Sequence, residues 1–102
     1  MTILEMIRAQ LAAKLAERAS READADALVA TVETEGRSSL NETEGTRLAE
    51  IRAAVKAIDA TLAELRQRET EEVAAVEARK AAERAAKATQ DAETAPAGAL
   101  DG

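Results

Sequence analysis

Six apolar residues, Leu48, Ile51, Val55, Ile58, Leu62 and Leu65, follow one another at steps of three, four, three, four and three. This is a heptad seam, the spacing that keeps one narrow stripe of an α-helix facing a partner. A strand pattern would alternate in twos, and none does. A single stripe of this kind buries itself only against another helix. The feature therefore predicts an all-α chain whose function lies in helix association.

Composition leaves few alternatives. The chain has 102 residues and contains no Phe, Tyr, Trp, His or Cys. That length allows one domain at most. The apolar share is 46%, but much of it is alanine, which favours a helix and adds little buried surface. Without aromatic rings a compact globular core is hard to build. The bias towards Ala, Glu, Arg, Leu and Lys is typical of long helices and coiled coils.

The N-terminal region supplies a candidate partner. Thr2 and Glu5 form a T-x-x-E capping box, which predicts a helix from Ile3. Leu4, Ile7 and Leu11 fall on one face, and Leu15 extends it by a turn. Strict heptad steps continue through Lys14, Arg18 and Arg21 to Ala25, Leu28 and Val32. The face is apolar at both ends and basic in the middle. Its long basic side chains can lay their stems over a partner surface, or form a docking face for an acidic partner. Residues 20–26 are poor in apolar side chains and mark a point where this helix could fray.

The two helices are separated by a clear turn signal. The first is predicted over about residues 3–35, with Gly36 taking the left-handed conformation that follows many helices. The turn covers residues 36–41. Asn41 then caps the second helix, with Glu44 completing its capping box and Glu42 adding negative charge at the helix N-terminus. Gly45, in the first turn, costs roughly 1 kcal/mol against alanine. So short a connection favours an antiparallel hairpin. After Leu65 the seam loses its phase: residues 66–72 are all polar, and Val73 and Val76 return at shifted spacing. The second helix is predicted to run to about Asp91. Pro96, Gly98 and Gly102 make residues 95–102 a flexible exit, of the kind that links a segment to a further domain.

Little remains that could carry chemistry. Without His or Cys there is no common general base, thiolate nucleophile or soft metal ligand, and no glycine-rich phosphate loop is present. Glu69, Glu71 and Glu72 form the densest acidic group, read as a solvated charge run. Asp59 sits beside the seam as a flanking charge. Catalytic, cofactor and metal sites are all expected to be absent. The formal net charge of −6 argues against nucleic acid as a partner. A membrane-surface role for Ile3, Leu4, Met6, Ile7 and Leu11 lacks the basic face and aromatic residues such helices use, so no membrane partner is expected.

Residues 40–65 resemble a segment of one known family. In tailed-phage major capsid proteins of the Hong Kong type, the N-terminal scaffolding (delta) domain carries a phrase like L-T-x-E-E, an aromatic or Leu, then E-I-x-x-L-D-x-x-I-x-x-L. Here Leu40, Asn41, Glu42, Thr43 and Glu44 take the opening, and Leu48 the usually aromatic position. Glu50, Ile51, Val55, Ile58, Asp59, Leu62 and Leu65 follow without a gap. The N-terminal helix and the charged alanine-rich tail are similar as well.

The resemblance implies that residues 1–94 form a scaffolding domain inside the immature capsid, assembled in the bacterial host cytoplasm. It implies association with other capsid subunits and removal by a maturation protease near residues 95–102; the heptad spacing itself makes the seam at Leu48 to Leu65 the face through which the second helix is expected to self-associate. The alternative reading is a stand-alone cytosolic coiled-coil adaptor.

Overall fold

The structure, a computed structural model, describes residues 1–92 in full and gives only helix bounds beyond them. It contains two helices, α1 (Ile3–Thr34) and α2 (Glu42–Asp101), and among the described residues no strand. The chain divides into two compact units, Met1–Glu69 and Thr70–Gly102.

In the first unit α1 begins as its sequence dictates. The Glu5 N–H donates to the Thr2 hydroxyl at 3.0 Å, and the Thr2 N–H donates to the Glu5 carboxylate at 3.3 Å. Two of the helix's orphan donors are thereby satisfied. The helix runs unbroken through residues 20–26, since alanine and arginine hold helical backbone where apolar residues are scarce. It ends one residue before the predicted limit, with Glu35 as its C-cap.

The turn closes on Gly36, whose φ is +69°. The Gly36 N–H donates to Glu33 O and the Arg37 N–H to Val32 O, both at 3.0 Å. These are the paired bonds of a Schellman motif, and they need a residue that tolerates positive φ. The second helix opens with the other capping box. The Glu44 N–H donates to the Asn41 side-chain oxygen at 2.8 Å, and the Asn41 N–H to the Glu44 carboxylate at 3.0 Å.

Within this unit α1 and the first half of α2 pack as an antiparallel hairpin. Two inter-helix ion pairs set its register: Arg8 with Glu69 and Arg18 with Asp59. In each pair the residue numbers total 77, so facing positions are mirrored about Ser38 and Ser39 in the turn. The buried core is Ile7 and Val32 from α1, and Ile51, Ile58, Leu62 and Leu65 from α2. Leu4, Leu11 and Leu28 are half-buried, as are Leu48 and Val55. The half-buried positions Lys14, Arg18, Arg21 and Ala25 complete the strict heptad line of α1.

Three expectations need correction. Leu15 is 46% exposed and does not belong to the packed face. It lies one residue past Lys14, about 100° round the helix, and the heptad line gives that place to Lys14. After Leu65 the phase continues in position while the residue type changes. Glu69, the next heptad step, is half-buried with its carboxylate 3.1 Å from the Arg8 guanidinium. The bounds of α2, Glu42–Asp101, pass the stop expected near Asp91, where no glycine or proline stands to end the helix. The exit and cleavage region expected over residues 95–102 lie outside the described residues.

The second unit, through Ala92, is alanine-rich helix. Glu72 and Val76 are half-buried, Val73 is exposed, and everything from Glu77 to Ala92 is exposed. Glu72 lies 3.6 Å from Arg79, and Glu77 3.8 Å from Lys80.

The division between covered and exposed apolar residues is open to test by urea unfolding. Ile58→Ala should cost roughly 2–4 kcal/mol, since it removes a buried side chain from a core that has no spare atoms to collapse into the gap. Leu15→Ala should stay within about 0.5 kcal/mol. Equal losses at the two positions would contradict the register.

Candidate functional site

Leu48, Ile51, Val55, Ile58, Leu62 and Leu65, the expected association face, share one side of α2, as their spacing requires. That face is covered by α1 of the same chain: Ile51, Ile58 and Leu62 are each 4% exposed or less. Most of the seam is therefore taken up within one chain, while Leu48 and Val55 stay half-buried at its edge. Leu4, Ile7, Leu11, Leu28 and Val32 lie opposite on α1, and Leu15 lies outside the contact. The N-terminal apolar cluster is divided too. Ile7 is in the core, while Ile3 and Met6 are 61% and 49% exposed.

Two cations of the basic middle of α1, Lys14 and Arg18, are paired inside the hairpin. The stem of Arg18 lies on the seam, and its guanidinium reaches Asp59 with Nε–Oδ1 at 2.6 Å and Nη2–Oδ2 at 3.4 Å. It also meets Glu22, four residues on. The hydrogen bond from Arg18, and then its positive charge, hold the Asp59 carboxyl below its usual range. Lys14 pairs with Glu17 at 3.0 Å. These are long side chains laid over a core with their charges at its edge. A docking face for an acidic partner is not needed to account for them.

The densest polar cluster lies at the turn, and the sequence reading did not find it. Arg37 donates to Glu35 at 2.7 Å and to the Ser39 carbonyl at 3.2 Å. It also grips Glu44 with both terminal nitrogens, at 2.7 and 3.0 Å. Glu44 thus accepts two bonds from one guanidinium and one from the Asn41 N–H. A bidentate, charge-assisted pair of this kind fixes orientation as well as distance. It ties the loop to the first turn of α2. Foremost the Arg37 bonds, and next the Asn41 N–H, lower the Glu44 carboxyl from 4.5 to about 2, and the Arg37 guanidinium is correspondingly raised. The signal was present as an arginine seven residues before a capping-box glutamate, but only the turn geometry brings the two together.

The carboxylates nearest the core are taken up in ion pairs. Asp59, Glu44, Glu69 and Glu72 each carry an arginine partner. Among the described residues no group of three or more acidic side chains is placed to hold a metal ion. No helix among them is long and apolar enough to cross a membrane. What the hairpin does offer is surface. An open groove of about 350 Å³ runs along one side, with Val29, Leu48, Ile51 and Val55 in its lining. Comparison with family models, curated proteins and solved structures returns no match to this chain.

The turn gives a pH prediction with a defined sign. A carboxyl whose folded pKa lies below its unfolded value adds stability above the unfolded value, and loses it as pH falls through the folded one. For Glu44 the contribution is complete above pH 4.5 and disappears between 4.5 and about 2. Thermal melts of the wild type and Glu44→Gln should differ near neutral pH and converge across that window. A constant difference down to pH 2 would contradict the pair.

Proposed function

We propose that the chain is a structural assembly element, the scaffolding segment of a phage major capsid protein. In this reading it directs prohead assembly by helix packing and is later removed by a maturation protease. It acts inside the immature capsid, in the bacterial host cytoplasm. It has no enzymatic role and uses no cofactor, and its partners are other capsid subunits and the protease.

One observation carries the reading. The phrase over residues 40–65 that resembles the delta domain is also the half of the hairpin that holds four of the six core residues. The contact it makes is narrow, and Ile3, Met6, Leu15 and Val29 remain exposed beside it. A hairpin with so thin a core and apolar flanks suits a part that works among copies of itself. Contacts that are individually weak become strong when many copies are held together. Weak contacts also loosen readily, and locally opened helices are good protease substrates. The acidic balance suits a segment that leaves before DNA enters.

The test is to express the whole reading frame that encodes the chain, with and without residues 1–94, and to image the product by electron microscopy. Closed, uniform shells are expected only when residues 1–94 are present, and peptides from them should be absent from mature particles by mass spectrometry. A frame that yields no particles, or shells unaffected by the deletion, would reject this function and favour the cytosolic adaptor.

A further inference from the structure

We infer that the groove on the Val29 side of the hairpin is the seat of a second copy of this chain, forming a two-fold four-helix bundle. The inference rests on the assembly reading above and names the surface and the first partner it uses.

The groove has an apolar floor and charged banks. Val29, 51% exposed, stands on the α1 side, and half-buried Leu48 and Val55 stand on the α2 side. Glu22 and Asp26 form the α1 bank, and Arg52 the α2 bank. One bank is therefore acidic and the other basic, and both belong to the same chain. Such a surface is complementary to itself.

The register of the hairpin shows how two copies fit. Facing residues of α1 and α2 have numbers that total 77. A two-fold axis parallel to the helices keeps every residue at the same height in both copies. It sets α1 of one copy against α2 of the other, running antiparallel. At that height Val29 meets Leu48 of the other copy, and Asp26 comes beside Arg52 of the other copy. Both contacts occur twice. The crossing resembles packing within the hairpin itself, and antiparallel four-helix bundles bury their stripes in this way. No other element of the first unit covers Val29, so the second copy removes apolar surface that one copy leaves in water.

The test uses the 102-residue chain and sedimentation equilibrium over a range of concentrations. The wild type should form a dimer. Val29→Asp should weaken it on the order of tenfold or more. Because Val29 is half exposed, this variant should keep its helical circular dichroism.

A pair of charge reversals makes the test specific. Arg52→Glu alone leaves Asp26 facing a glutamate, and Asp26→Arg alone leaves Arg52 facing an arginine. Each variant should be mainly monomeric. Mixed in equal amounts they should dimerise again. In the mixed dimer the unchanged Asp26 of one chain meets the unchanged Arg52 of the other, and the two introduced side chains, one acidic and one basic, meet each other. A merely intramolecular role for these residues cannot produce recovery on mixing.

A monomeric wild type overturns the inference, whether or not it binds anionic vesicles. So does a dimer indifferent to all three substitutions. Dimerisation with the predicted charge dependence stands even if the full reading frame makes no shell, so the two claims fail separately.

Discussion

The hairpin depends on the burial of one heptad stripe of α2 against α1. Ile51, Ile58, Leu62 and Leu65 supply most of the buried apolar surface, and Ile7 and Val32 close the two ends from the other side. No aromatic side chain adds to it. Between Ile7 and Val32 the α1 line is held by half-buried Leu11, Lys14, Arg18, Arg21, Ala25 and Leu28. The core is thus richer on one helix than on the other. An α2 helix alone would expose four large aliphatic residues, so the return of the chain at Gly36 is what lets the seam exist within one molecule.

Electrostatics refines this arrangement without driving it. Arg8 with Glu69, and Arg18 with Asp59, lie at the edge of the core, one partner of each pair exposed and the other half-buried. Pairs in that setting contribute little stability, because water already solvates both charges. Their value is in register. A slip by one residue would part both pairs and rotate the apolar stripe away from its partner. Arg37 does related work at the turn, where its two bonds to Glu44 hold the loop against the start of α2.

Much of this was legible in the residues. The seam, both capping boxes and the left-handed glycine each state a local rule that the structure obeys, because each is decided within a few residues. Lys14, Arg18 and Arg21 also fall on the strict heptad line, as counted. Misplacement of Leu15 came from preferring an apolar residue to the correct phase. The ion pairs were hidden because they join residues 41 and 61 positions apart. Their register follows only once the turn is centred on Ser38 and Ser39. Whether the seam pairs within or between chains is also beyond a heptad count, since both arrangements satisfy the same spacing. The length and geometry of the connection decide it.

The central claim is that the seam is satisfied inside one chain. Spin labels at positions 23 and 53, both exposed alanines, give the most direct measure. In the hairpin they sit at nearly the same height on helices whose axes are about 10 Å apart. On one unbroken helix they would be roughly 45 Å apart. A short distance that persists when the labelled chain is diluted into excess unlabelled chain is the predicted result. A distance near 45 Å, or a short one that vanishes on dilution, would contradict the account.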